Sequence, residues 1–188
     1  MQKLIVFNNV TLDGYFAGAN GDFSWAHSGN KDAEFDAFVG ENASGGGRLL
    51  LGRITYQLMA SYWPTPNAIK NDPVVAEGMN RVSKVVFSRT LEHASWNNTK
   101  LAKGDIASEI RQMKKEPGEG MAILGSGSLV SQLAPEGLID EYHAVLNPVV
   151  LGKGQTMFDG IKEKLNLKLT KTRTFSSGKV FLCYEPVG

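Results

Sequence analysis

The chain has 188 residues, 20 of them Lys or Arg against 19 Asp or Glu, for a formal net charge of +1. Near neutrality argues against a nucleic-acid-binding surface, which shows as a strongly basic stripe. Residues Met1–Phe7 lack the apolar core of a signal peptide, no apolar stretch reaches the ~18 residues of a membrane span, and the single Cys183 cannot form an internal disulfide. A cytoplasmic protein of one domain, with no membrane or nucleic-acid partner, is the expectation.

The apolar run Leu4–Phe7 predicts a buried first strand continuing toward Val10. Residues 11–31 are rich in Gly, Asn, Asp and Ser and read as a long loop, the kind that serves as a functional lid. Asp32 then caps a helix whose inner face holds Phe35, Phe38 and Val39. A second strand, Arg48–Leu51, runs into Gly52-Arg53-Ile54-Thr55, where a helix begins with Ile54, Leu58, Met59 and Tyr62 as its apolar face and Pro64 and Pro66 as its end. A short helical turn at Val74–Asn80 precedes a strand at Lys84–Ser88 and a weak one at Thr99–Ala102. Asp105 caps a helix carrying Ile106, Ile110 and Met113, and the strand Met121–Leu124 leads through Gly125-Ser126-Gly127-Ser128 into another. Glu141–Leu146 is a strand, and Leu167–Phe175 with Val180–Glu185 reads as a closing hairpin. The alternation predicts an α/β domain: a central mixed, mostly parallel sheet, helices on both faces and an antiparallel C-terminal hairpin.

Three strands end in polar turns, at Gly52–Thr55, Ser88–Thr90 and Gly125–Ser128. Ligands of open α/β sheets bind outside the carboxyl ends of the strands. Glycines 125 and 127 let backbone approach an anion, Arg53 and Arg89 offer paired N–H donors, and the Thr55, Ser88 and Ser128 hydroxyls add further bonds. Together these turns point to a ligand with several phosphates. A Rossmann turn is disfavoured, because Val130 replaces its third glycine and no acid ends the following strand; a Walker A loop is absent.

Taken in order, Val10-Thr11-Leu12-Asp13-Gly14-Tyr15-Phe16-Ala17-Gly18, Leu51-Gly52-Arg53-Ile54-Thr55-Tyr56, Lys84–Leu91, Ile123–Ser128, Gly137–Glu141 and Asn147–Gly154 form a specific set. With them the chain resembles the dihydrofolate reductase-like superfamily, and within it the reductase domain of the bacterial bifunctional riboflavin-biosynthesis deaminase-reductase. The resemblance implies an NADPH-dependent reductase and a homodimer. It places Gly52, Arg53 and Thr55 at the cofactor phosphates and Ser88 and Arg89 at the adenosine 2′-phosphate. Gly125, Ser126, Gly127, Ser128 and Leu129 cradle the pyrophosphate, and Asn9, Val10, Phe16 and Ala17 flank the nicotinamide. Trp25, on the polar loop, is expected as an exposed indole covering the substrate, with Phe35 beside it.

The proton donor stays open among Asp13, Asp32, Glu34 and ordered water. Asp32 doubles as an N-cap, Asp36 is expected to face solvent, and Asp13 doubles as part of an Asp-Gly turn. His27, His93 and His143 are scattered without a His or Cys partner in sequence, so no metal is expected, and Cys183 reads as core. Three functions remain: a reductase of a pterin or pyrimidine, the 5-amino-6-(5-phosphoribosylamino)uracil reductase of riboflavin biosynthesis, and a non-catalytic NADP(H)-binding sensor.

Overall fold

The computed structural model describes residues 1–27, 29 and 31–187; Ser28 and Asn30, inside the expected 11–31 loop, and Gly188 lie outside the described residues. The first apolar run forms strand β1 (Leu4–Thr11), which buries Leu4, Val6, Asn8 and Val10 on one face and half-buries Ile5, Phe7 and Asn9 on the other. Strands β2 (Arg48–Gly52), β3 (Ser83–Phe87), β4 (Thr99–Ala102), β5 (Met121–Leu124) and β6 (Glu141–Asn147) run parallel to it. The hairpin β7 (Leu167–Thr174) and β8 (Val180–Pro186) joins through β8, antiparallel to β6, giving the order β4-β3-β2-β5-β1-β6-β8-β7. The edge strand β7 carries Lys168, Lys171 and Arg173, charges that discourage edge-to-edge pairing.

Among the described residues six α-helices cover the sheet: α1 (Ala33–Ser44), α2 (Arg53–Tyr62), α3 (Pro66–Asn71), α4 (Pro73–Arg81), α5 (Ile106–Lys115) and α6 (Gly127–Leu133). On one face Leu4, Val6, Leu50, Val85 and Ile123 pack against Ile110 and Met113 of α5 and Leu129 and Leu133 of α6. The other face divides in two. Leu49, Leu51 and Val86 meet Tyr56, Met79 and Trp96, while Val145, Phe181 and Cys183 meet Phe38 of α1. Each fully buried aliphatic side chain contributes about 1.5–3 kcal/mol. Among the described residues no helix is long and apolar enough to cross a membrane.

Four expectations need correction. Pro66 starts a helix instead of ending one: it occupies the first turn of α3, where its missing N–H costs nothing, and Thr65 Oγ1 accepts from Ala68 N at 3.3 Å. Asp72-Pro73 likewise opens a full helix. Of the expected apolar stripe of α2 only Met59 packs against the core, since Ile54 is 72% and Leu58 44% exposed; the helix buries Tyr56 as well, whose hydroxyl accepts from Trp96 N at 3.0 Å. Trp25 is buried, not an exposed cover, and its indole donates to Asp22 O at 3.3 Å.

Candidate active site

Because β1 to β6 are parallel, their carboxyl ends share one edge, and a cavity of about 1910 Å³ opens along it. The three polar turns read from the sequence all reach this cavity, since β3, β2 and β5 are neighbours. Asn9, Phe16, Ala17 and Phe35 also line it. Val10 does not: alternation along β1 turns it into the opposite core.

The turns are locked by a polar network that leaves some expected ligand groups already engaged. Asn8 Oδ1 accepts from Gly125 N at 2.7 Å, and Thr55 Oγ1 accepts from Ser126 N at 3.2 Å. Ser126 Oγ accepts from Gly52 N at 2.8 Å and donates to Leu124 O at 3.0 Å. The Thr55 and Ser126 hydroxyls thus serve as acceptors that tie β2, β5 and α2 together. Gly125 has φ +58, and a Cβ there would stand 2.9 Å from Thr55 Oγ1. The amides of Gly127 and Ser128 carry no hydrogen bond within the described chain and are the open donors of this turn. Leu129 packs its side chain into the core. Asn8, which the sequence reading passed over, announced itself only as an amide in mid-strand, where Asn is depleted.

Arg53 and Arg89 are exposed at the rim, and neither has a carboxylate within salt-bridge distance among the described residues. Lys103, just beyond β4, lines the same cavity and was not foreseen. Ser88 Oγ accepts from Thr90 N at 3.2 Å and Leu91 N at 2.9 Å, shaping the turn that presents Arg89.

None of the three acids offered as proton donor lines the cavity. Asp13 clamps the loop to a later turn, accepting from Thr11 Oγ1 at 2.6 Å and Gly152 N at 2.7 Å, and the Thr11 bond holds its carboxyl below the usual range. Asp32 caps α1 through Phe35 N at 3.0 Å and accepts from Ser177 N at 2.8 Å and Ser176 Oγ at 3.0 Å. Those donors, Ser177 N foremost, hold it far below the usual carboxylate range, so it stays ionised. Glu34 pairs with Arg173 at 2.7 Å on the surface. Among the described residues Asp36, Asp72, Asp105 and Asp159 line the cavity; Asp36, one turn further along α1 and exposed as expected, is the one on the helix that also supplies Phe35. Beside it the cavity floor is apolar, built from Ile5, Phe7, Leu124 and Phe35. The loop after β1 closes this end through the bridge between Ala17 and Gln155.

The strand register also contradicts the scattered-histidine reading. His143 lies opposite Cys183 and two residues from Glu141, and their ligand atoms fall within 4.8 Å of one another. Glu141 is already engaged there, by His143 Nε2 at 2.7 Å and Lys3 Nζ at 2.5 Å.

The sheet order, the rim of polar turns and the apolar floor belong to an α/β domain with the fold of dihydrofolate reductase. Residues 2–181 match the family model for the RibD C-terminal domain, and the chain belongs to that family. It is 32% identical over 184 residues to the uncharacterized protein YyaP of Bacillus subtilis (strain 168), covering 98% of this chain and 95% of that one. Among solved structures it is similar to a candidate riboflavin-biosynthesis protein of Shewanella sp. PV-4 (TM-score 0.71, 22% identity, all of both chains covered). It is also similar to the dihydrofolate reductase of Enterococcus faecalis complexed with NADP(H) and RAB-propyl (TM-score 0.64, 15% identity, 99% of this chain and 97% of that one).

Proposed function

We propose that the protein is an NADPH-dependent reductase acting on a small heterocycle of the pyrimidine or pterin class. The observation that carries this reading is the convergence on one cavity of three rim cations, Arg53, Arg89 and Lys103, with the unbonded amides of Gly127 and Ser128. The donor set suits a polyphosphorylated nucleotide: guanidinium groups bind phosphate oxygens in pairs, and backbone N–H groups donate to anions. Arg89 and Ser88 would hold the 2′-phosphate, Arg53 and Lys103 the neighbouring phosphates, and Gly127 and Ser128 the pyrophosphate. Asn9, Phe16 and Ala17 would wall the nicotinamide, which when bound supplies hydride to an electron-poor carbon.

The chain's own part is to orient and protonate. Phe7 and Phe35 present flat apolar surface to a ring, and Asp36 offers the carboxyl that binds its polar edge and passes it a proton. Phe16, Phe23 and Ala26 of the loop after β1 add apolar wall at that end. The phosphoribosyl substrate of riboflavin biosynthesis is less well served, because every Arg and Lys among the lining residues follows β2, β3 or β4, away from Asp36. The proposal includes a homodimer, to be checked as twice 20.4 kDa by light scattering.

Thermal denaturation with NADPH, NADH and no nucleotide tests the reading. A ligand at ~100 times its Kd adds about 2.7 kcal/mol of stability. NADPH is expected to raise Tm well beyond NADH, and Arg89→Ala to remove the difference. Equal shifts would refute the 2′-phosphate assignment, and no shift with either would refute the cofactor.

A further inference from the structure

Lys179, just before β8, is buried behind the cavity. Its ammonium donates to Ala26 O at 3.1 Å and to Asn147 Oδ1, and lies 5.2 Å from the centre of the Phe35 ring. Asn147, the last residue of β6 and 1% exposed, donates its Nδ2 to Asn9 Oδ1 at 3.1 Å and to Val145 O at 2.9 Å. Ala26, Phe35 and Asn9 all line the cavity, so one buried cation stands behind three of its wall groups.

Chemistry fixes the direction of this chain of bonds. An ammonium has donors only, so Asn147 must turn its oxygen to Lys179. Its NH₂ then meets Asn9 Oδ1 and the carbonyl of Val145, both acceptors. A flip would set NH₂ against ammonium, two donors with no acceptor between them. Asn9 must therefore spend its oxygen on Asn147. Its own NH₂ has no hydrogen bond among the described residues and is left for the cavity.

We propose that Lys179 and Asn147 are positioning residues that fix Asn9 as a hydrogen-bond donor, so that the ring bound against it presents a carbonyl oxygen or an unprotonated ring nitrogen. This rests on reading the cavity as the reductase site. The acceptor can sit on the substrate ring or on the nicotinamide carboxamide.

Two substitutions reverse the polarity. Asn9→Asp keeps an acceptor for Asn147 and puts a second into the cavity. Asn147→Asp keeps the partner of Lys179 but has no donor, so Asn9 must turn its NH₂ inward and show oxygen to the ligand. Kd values for uracil and 2,4-diaminopyrimidine are measured by NMR titration of NADP⁺-saturated protein. Both variants are expected to move the ratio toward the diamino compound by about tenfold or more. If the acceptor is the carboxamide, the same variants weaken NADPH by a similar factor and leave the pyrimidine ratio fixed, which equally supports the donor. No change in either quantity with folded Asn9→Asp protein overturns the proposal; a response in Asn9→Asp but none in Asn147→Asp overturns the relay. Should Asn147→Asp not fold, side-chain amide exchange in the wild type decides: the Asn147 NH₂ slow and the Asn9 NH₂ fast without ligand is the expected pattern, and the reverse overturns it. Failure of NADP⁺ to bind would refute the parent reading alone, because the amide exchange and titrations of the free protein still test the donor.

Discussion

Asp32 and Asp36 stand one turn apart on α1 and meet opposite surroundings. Asp32 spends its oxygens on the backbone of its own helix and on Ser176 and Ser177 of the hairpin turn, while Asp36 opens onto the cavity. Asp36→Asn is expected to cut turnover of any pyrimidine or pterin that the wild type reduces by ~10²–10⁴-fold, with Tm unchanged. Asp32→Asn should do the reverse, lowering Tm while keeping most of the turnover. Its pH dependence has a definite sign. The folded carboxyl titrates below its unfolded value, so its stabilisation is present above about pH 4 and is lost as pH falls below that. Urea midpoints of wild type and Asp32→Asn should therefore differ at pH 7 and converge in acid. Sequence alone could not separate these acids, because Asp32, Glu34 and Asp36 lie within five residues and their roles depend on what α1 faces.

At the level of elements, the β5–α6 turn and the β3–α4 contact are the joints that set the rim. Gly125→Ala must combine a left-handed φ with a Cβ 2.9 Å from Thr55 Oγ1, and a loss of about 2–4 kcal/mol is expected with weaker NADPH binding. Gly137→Ala is the control: φ is +61 but no atom lies within 4 Å, so only the conformational cost of ~1–2 kcal/mol applies and the nucleotide is untouched. Lys84 of β3 is fully buried, and its ammonium closes the end of α4 through Met79 O at 2.8 Å and Val82 O at 2.7 Å. Burial pushes its pKa down from 10.5 to about 8. Between those values the unfolded chain holds a proton that the folded chain has lost, so this group makes stability rise with pH. Lys84→Met should cost about 1–3 kcal/mol at pH 7 and flatten that rise, as read from urea midpoints at pH 7 and pH 10. The strands themselves were readable from their apolar runs, since fully buried parallel strands need little else. Helix α3 was not, because Pro66 serves equally as a stop or a first-turn residue.

Across the whole molecule a net charge of +1 hides an uneven distribution: Arg53, Arg89 and Lys103 stand along one rim without salt-bridge partners among the described residues. Exposed charges interact over a Debye length of about 10 Å at 0.1 M salt. NADPH affinity should therefore fall more steeply between 0.05 and 0.5 M NaCl than NADH affinity does, as followed by nicotinamide fluorescence; parallel slopes would count against Arg89 at the extra phosphate. The sequence made the three polar turns visible because glycine, arginine and serine at strand exits are local features. It misplaced Trp25 and the α2 stripe because burial is a property of what folds over a residue.

The order of apolar runs, caps and glycines was enough to specify a mostly parallel sheet with its loop ends on one edge, since those elements are fixed by local period and backbone freedom. Which acids line the cavity, which hydroxyls are engaged in tying strands together, and which partner the Asn9 oxygen meets were decided only when β1, β2, β5, β6 and the hairpin came together. Each of those outcomes depends on hydrogen-bond partners far apart along the chain, 71 residues for Thr55 with Ser126 and more than a hundred for Asn147 with Asn9 and Ser177 with Asp32.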